Sequence, residues 1–561
     1  MCRLPDPFAD RPAAPRSAGP AAVPAPGPVV GAAADRAAAR TISFAGLHAV
    51  AVATLAAATL VVLPRPAQAS ALPAEVRAAL ERAGVPETAV AVALHDAASG
   101  RPLFALNAEQ PMNPASLQKL LTTTAALERL GPAFTWSTPV WLAGPVRDGV
   151  LDGPLHIRGS GDPKLVHERL WLLLRRVQQL GVREIRGDVV LDNAAFAVPD
   201  TPPGDFDGEP LRPYNARPAA LLLNYRAVLY TFVPDVAAGV ARVVVEPPLA
   251  RSGVDRTVPL APGPCGDWRA ALQASFGVVA EAGAAGATRT RFAGSYATAC
   301  GENTWPVADA QPASYDARIV EGLWREMGGT LTGRVREGRA PDSAPTFEQR
   351  SPPLAEVVRE INKFSNNVMA EQVLLTLAAQ ARPGLPATPE AARDELRRWL
   401  VERLGAAEVG RDVVIHNGSG LSRDNRLSAR LLARLLAAAF ASPVMPELAA
   451  SLPVAGSDGT LRRLRAGAGR AHLKSGSLRD VAGLAGYVLP VQGAAAGRRL
   501  VFVALIQHPN ANAARPALDA LLQAVVAGAL PGPERPERPD RPERSERPER
   551  PERPARTGTP P

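Results

Sequence analysis

From Ala89 the chain reads AVAVALHDAASGRPLFALNAEQ: an apolar run, a polar turn at Ser99-Gly100 and a second short apolar stretch. Apolar runs of this length bounded by turn residues read as strands, so the segment predicts a β-hairpin. The period then changes. In PASLQKLLTTTAALERLGP, from Pro114, the residues Leu117, Leu120, Leu121 and Leu127 recur at helical spacing, predicting a helix whose first turn carries Ser116 and Lys119. From roughly 140 to 345 short Val-rich segments such as GDVVLD and ARVVVEP alternate with Gly and Pro, the pattern of β-rich structure. Helical periodicity returns over 354–379, 391–404 and 428–441, and strands near 482–489 and 500–507 precede a helix from about Ala514. Strands at both ends with helices between them predict one α/β (α+β) domain in two pieces, 70–140 and 346–530. A β-rich insertion of one or two small domains, 141–345, interrupts it.

The two ends break these patterns. Residues 1–40 are rich in Ala, Pro and Arg with almost no periodicity, which predicts a disordered extension. An apolar run from about 49 to 63 follows Arg40, and Ala67-Gln68-Ala69 supplies the small residues of a cleavage site before Ser70. The run is short for a membrane span. The expectation is an export signal within 1–69, a mature chain from near Ser70 and a periplasmic location, with an uncleaved anchor as the alternative. At the carboxyl end, PERPERPDRPERSERPERPERPAR sets proline at every third position, which forbids a helix and predicts a solvated tail over 531–561.

Composition narrows the function classes. The 561 residues carry a formal charge of +9, yet aromatics are only 5% and the basic residues are dispersed. A nucleic-acid surface needs basic stripes with interleaved aromatics, so no nucleic-acid partner is expected. Peripheral association with a membrane surface or an anionic polymer stays open, and oligomeric state is not legible. Cys2 falls in the export segment, leaving Cys265 and Cys300. An even pair in an exported chain, with no His or Cys at ligand spacing, is expected to form a disulfide. No H-E-x-x-H or paired-carboxylate spacing suggests a metal, and no cofactor is expected.

Lysine usage carries the chemistry. Of 63 basic residues other than histidine only four are lysine, at 119, 164, 363 and 474. Arginine stays charged at any working pH, whereas a lysine in the right surroundings loses its proton and acts as a base. Ser116 and Lys119 stand three apart, so a helix brings hydroxyl and amine to one face, near unpaired N–H groups of the first turn. INKFSNN adds Ser365 and Asn367; HLKSGSL adds Lys474, Ser475 and Gly476. Each motif alone is commonplace, a capping serine with a solvated lysine being the ordinary arrangement. Together and in this order they match the S-x-x-K, S-x-N and K-[ST]-G set of serine acyl-transferring enzymes.

On these motifs, and on RGSGDPKL at Arg158, LLLNYRAV, NGSGLSRDNRLS at Asn417 and LPVAGSDGTLRRLR at Leu452, the sequence resembles the penicillin-binding D-Ala-D-Ala carboxypeptidase/endopeptidase family, low-molecular-mass class C. The wide separation of Ser116 and Ser365 fits the inserted domains of that family. The resemblance implies an acyl-enzyme on Ser116 with Lys119 as general base, Ser365 relaying a proton to the leaving amine and Asn367 holding the substrate amide. Lys474 and Ser475 would recognise the terminal carboxylate, Gly476 would admit the substrate backbone, and the N–H groups of Ser116 and Ser477 would form the oxyanion hole. Peptidoglycan stem peptides and cross-links are the implied substrates, and β-lactam antibiotics the implied covalent inhibitors. KSG replaces the commoner KTG, and Asn417 stands where the family often has Asp. Lys363 is expected to tune Lys119 or to fix a loop, Lys164 to lie at the surface after a turn, and His416 and His472 to be packed or exposed rather than catalytic.

Three other readings are weaker. A β-lactamase of the same superfamily lacks its E-x-x-L-N element here, and a Ser-His-Asp hydrolase lacks its G-x-S-x-G elbow. A catalytically silent peptidoglycan-binding or sensing protein on the same fold would have no use for an ionisable lysine at 119.

Overall fold

The computed structural model describes residues 72–279, 287–410 and 413–530. The expected export segment, Cys2 and the Pro/Glu/Arg tail lie outside them. The hairpin strands are β1 (Val90–Asp96) and β2 (Pro102–Leu106), and three carboxyl-terminal strands, β3 (Ala471–Leu478), β4 (Val481–Val488) and β5 (Leu500–Gln507), join them. The sheet is antiparallel in the order β2-β1-β5-β4-β3. Both faces of its central strands are covered. Ala91 and Ala93 of β1 enter one apolar core with Val501, Val503 and Leu505 of β5, while Val90, Val92 and Leu94 enter another with Phe502, Ala504 and Ile506. The period-2 alternation of a strand thus feeds two cores, and these strands read as continuous apolar runs for that reason.

Helices α1 (Ala74–Ala83) and α7 (Arg515–Val526) cover the second face. The first is covered by α2 (Gln118–Leu130), α3 (Leu354–Phe364), α4 (Asn367–Ala381), α5 (Pro389–Leu404) and α6 (Ala429–Phe440). Three local expectations need correction. Ser116 lies in a short 3-10 turn, Ala115–Leu117, immediately before α2 rather than in its first turn. The single helix expected over 354–379 is two. Ser365 adopts a left-handed conformation, φ 58°, which ends α3, and the Asn366 side chain accepts the Met369 N–H at 3.1 Å to start α4. The two strands expected near 482–489 and 500–507 are preceded by a third, edge strand β3, and Lys474-Ser475-Gly476 lies inside it.

Between Ser137 and Arg350 the chain builds further sheets, together with two long helices, His167–Gln179 and Pro312–Glu326. Its first and last strands, Ser137–Leu142 and Phe347–Arg350, are antiparallel neighbours, Ser137 opposite Arg350. The chain therefore leaves and returns at one point, and a segment this long enters without parting the helices on either side. Most of its apolar residues form a separate core, beside which Cys265 is bonded to Cys300 across a Cα–Cα distance of 4.7 Å.

Candidate active site

The first ten residues of α2 are all buried, so the Lys119 side chain is 0% exposed at the foot of a packed helix. Its Nζ lies 3.0 Å from Ser116 Oγ and donates to Asn367 Oδ1 and to the Ser419 carbonyl, each at 2.6 Å. A neutral amine has two N–H donors and one lone pair. With both donors engaged by Asn367 and Ser419, the lone pair is left to the Ser116 hydroxyl, the arrangement needed for proton abstraction. Burial foremost, then the Lys474 ammonium, hold Lys119 well below the ordinary lysine range, while the Glu371 carboxylate opposes them. Arginine at 119 could not reach the neutral state.

Lys474 pairs a second lysine with a second serine. Its Nζ donates to Ser365 Oγ at 2.8 Å and to the Ser475 carbonyl at 2.9 Å. It is 0% exposed, and burial lowers its pKa to about 7. Ser365 is delivered to this contact by its left-handed backbone, an unusual conformation for a residue with a side chain, and one that tends to mark functional sites. Asn367, two residues on, donates Nδ2 to the Tyr214 carbonyl at 3.1 Å and keeps a second N–H for another acceptor.

Gly476 allows these groups to meet. A Cβ at this position would stand 2.8 Å from the Pro114 carbonyl and 3.1 Å from Leu117 Cγ, so glycine lets β3 lie against the turn that carries Ser116. The sequence expectation of room for a substrate backbone is thus joined by a close approach within the protein itself. Ser475 Oγ and Thr460 Oγ1 are 2.8 Å apart, and Ser477 Oγ accepts from Arg515 at 2.6 Å. The three motifs therefore converge: Ser116, Lys119 and Asn367 in one network, Ser365 and Lys474 in a second, Ser475 to Ser477 along the edge strand between the 3-10 turn and the Asp458–Thr460 loop.

The remaining lysines hold the surroundings. Lys363 Nζ binds Asp458 and the Leu452 carbonyl, both at 2.6 Å, which fixes the loop before β3. The charged groups that act on Lys119 are Lys474 and Glu371. Lys164 is not a free surface residue. It pairs with both oxygens of Glu360 on α3, at 2.7 and 2.8 Å, tying the inserted segment to the helix that ends in Ser365. Asn417 donates Nδ2 to the Leu421 carbonyl and accepts the Gly420 N–H, at 2.9 Å each, so its amide closes the NGSGL turn in a way a carboxylate could not. His416 faces solvent with Asp424 at 3.9 Å, and His472 is half-buried on β3.

Sequence reasoning missed Ser419, Glu371, Thr460 and Tyr214. Ser419 and Thr460 lie inside stretches already singled out, NGSGLSRDN and LPVAGSDGT, but Ser419 acts through its carbonyl, which leaves no side-chain signal. Tyr214 also acts through its backbone.

The sequence model of the D-Ala-D-Ala carboxypeptidase 3 (S13) family matches residues 72–525. The chain belongs to this family. It is 30% identical over 457 residues to the D-alanyl-D-alanine carboxypeptidase of Actinomadura sp. (strain R39), covering 75% of this chain and 78% of that protein. It is 25% identical over 396 residues to D-alanyl-D-alanine carboxypeptidase DacB of Haemophilus influenzae, covering 68% and 78%. Penicillin binding protein 4 (dacB) from H. influenzae shares the fold, with a TM-score of 0.63 at 23% identity over 80% of this chain and 98% of that one. The same H. influenzae protein has been solved in complex with a β-lactam, with a TM-score of 0.59 and 22% identity. As a member of the S13 family, the protein is a serine-type D-Ala-D-Ala peptidase on the penicillin-binding fold.

Proposed function

We propose that this enzyme acts in the periplasm, after export, on peptidoglycan stem peptides or their cross-links through an acyl-enzyme on Ser116. The Lys119 amine takes the Ser116 proton as Oγ attacks the penultimate D-Ala carbonyl. The N–H groups of Ser116 and Ser477 hold the oxyanion. Ser365, hydrogen-bonded to Lys474, relays to the departing amine the proton that Lys119 took from Ser116, which returns Lys119 to the neutral amine; the leaving amine is terminal D-Ala in carboxypeptidase action or a cross-bridge amine in endopeptidase action. The spare N–H of Asn367 Nδ2 receives the substrate amide carbonyl, and Lys474 with Ser475 receives the terminal carboxylate. Water then releases the acyl group with Lys119 again as base. β-Lactams, which present an acyl group and a carboxylate in the same relation, acylate the same serine.

The observation that carries this reading is the buried Lys119 amine with both of its donors engaged and Ser116 Oγ at 3.0 Å. The test is incubation of the protein with pentapeptide muropeptides and with cross-linked dimers. Release of D-Ala, or conversion of dimer to monomer, dependent on Ser116 supports it. Neither product from a folded protein refutes it. Among the described residues no helix is long and apolar enough to cross a membrane.

A further inference from the structure

Of the three groups around the Lys119 amine, two sit on side chains and the third is a backbone carbonyl in a turn, which can hold a fixed position only if the turn itself is held. That turn is clamped from two helices. From α2, Thr122 Oγ1 donates to the Gly418 carbonyl at 2.7 Å. From α4, the Glu371 carboxylate accepts the Ser419 N–H at 2.9 Å and the Gly418 N–H at 3.3 Å. Gly420 completes the fit. It has φ +80° and a Cβ there would stand 1.8 Å from the Ala115 carbonyl, so the turn is pressed against the backbone beside Ser116.

We propose that Glu371 is a positioning residue for the acylation step: by gripping the two consecutive N–H groups of Gly418 and Ser419 it fixes the Ser419 carbonyl that orients the Lys119 amine toward Ser116. The inference rests on the reading of Lys119 as the base. Without the grip the turn keeps the Thr122 contact and the packing at Gly420 but loses both N–H anchors, so the Ser419 carbonyl, one Lys119 acceptor, is held less firmly and the lone pair is less narrowly directed. Misplacing a reacting group by about 1 Å costs on the order of a hundredfold in rate, so a partial loss of orientation is expected to cost about tenfold.

Glu371 also has an electrostatic effect that packing alone would lack. The charged groups facing Lys119 are Lys474 from β3 and Glu371 from α4; the nearer contacts, Ser116, Asn367 and the Ser419 carbonyl, are neutral. Removing the carboxylate leaves Lys474 unopposed, so Lys119 loses its proton more readily and the acidic limb of the acylation profile moves to lower pH.

The experiment measures the second-order rate of labelling by a fluorescent penicillin across pH for wild type, Glu371→Ala and Glu371→Gln, with thermal melting as the check on folding and Ser116→Ala as control. The expected result is a plateau about tenfold lower in Glu371→Ala, and an acidic limb lowered by about half a unit or more in both variants. A limb unmoved in Glu371→Gln, or a Glu371→Ala plateau above one third of wild type, overturns the proposal; if Glu371→Ala does not fold, the Glu371→Gln limb decides. Labelling that persists in Ser116→Ala instead overturns the underlying site assignment, so the two failures are distinct.

Discussion

Lys119 and Asn367 stand 248 residues apart in the chain, and Nζ of one donates to Oδ1 of the other at 2.6 Å. The contact joins the helix after the first motif to the helix after the second, with the whole inserted segment between them in sequence. The contact therefore depends on the return of the chain at Phe347–Arg350 beside Ser137–Leu142, which brings the two helices back together. The consequences can be tested one group at a time.

Replacing Lys119 by arginine keeps the charge and removes the base. Acylation by a fluorescent penicillin is expected to fall by about a hundredfold or more, the lower end of what general-base groups contribute, with the melting transition retained. A normal labelling rate would exclude Lys119 as the base.

Asn367→Asp places a carboxylate where a neutral oxygen now accepts from Lys119. The carboxylate favours the ammonium, so the Lys119 pKa rises and the acidic limb of the acylation profile moves up by about one unit or more. The shift is opposite in sign to that of the Glu371 variants. Acylation rates between about pH 5 and pH 10 resolve the two directions.

Burial brings the Lys474 pKa to about 7. Below that pH the side chain is an ammonium and attracts a carboxylate; above it the attraction is lost unless the ligand itself restores the proton. Binding of a D-Ala-D-Ala peptide to Ser116→Ala is therefore expected to weaken as pH rises through neutrality and to take up a proton. Calorimetry in two buffers of different ionisation enthalpy reads both. A pH-independent affinity with no proton uptake would contradict a direct Lys474–carboxylate contact.

The disulfide closes a loop of sequence separation 35 beside the core of the inserted segment. Chain entropy assigns such a loop about 4 kcal/mol. Replacing Cys265 and Cys300 by alanine is expected to destabilise the segment by up to that amount while penicillin labelling at 25 °C persists, because Ser116, Lys119 and Lys474 lie on elements outside that segment. Loss of labelling in a still-folded variant would show that the segment's stability is coupled to the site.

Much of this was legible in the sequence because the chemistry demands particular side chains. An ionisable lysine three residues after Ser116, and another before Ser475, stand out in a chain that otherwise uses arginine. The strands at the two ends were readable as well, since β1 and β5 are buried on both faces and show unbroken apolar runs. What was not legible acts through the backbone or through packing. The break between α3 and α4 depends on one left-handed residue, Ser365, inside a periodic apolar pattern that continues across it. The Ser419 carbonyl and the grip of Glu371 on its turn have no compositional mark, and Lys164 read as a surface residue because its partner, Glu360, lies 196 residues on.

Every step proposed for this enzyme passes through Ser116 as the acylated nucleophile. The most direct measurement is mass spectrometry of the protein after brief exposure to penicillin, with digestion to locate the adduct. One penicilloyl group is expected on the peptide containing Ser116, absent in Ser116→Ala. An adduct on another serine, or none on a folded wild-type protein, would contradict that role.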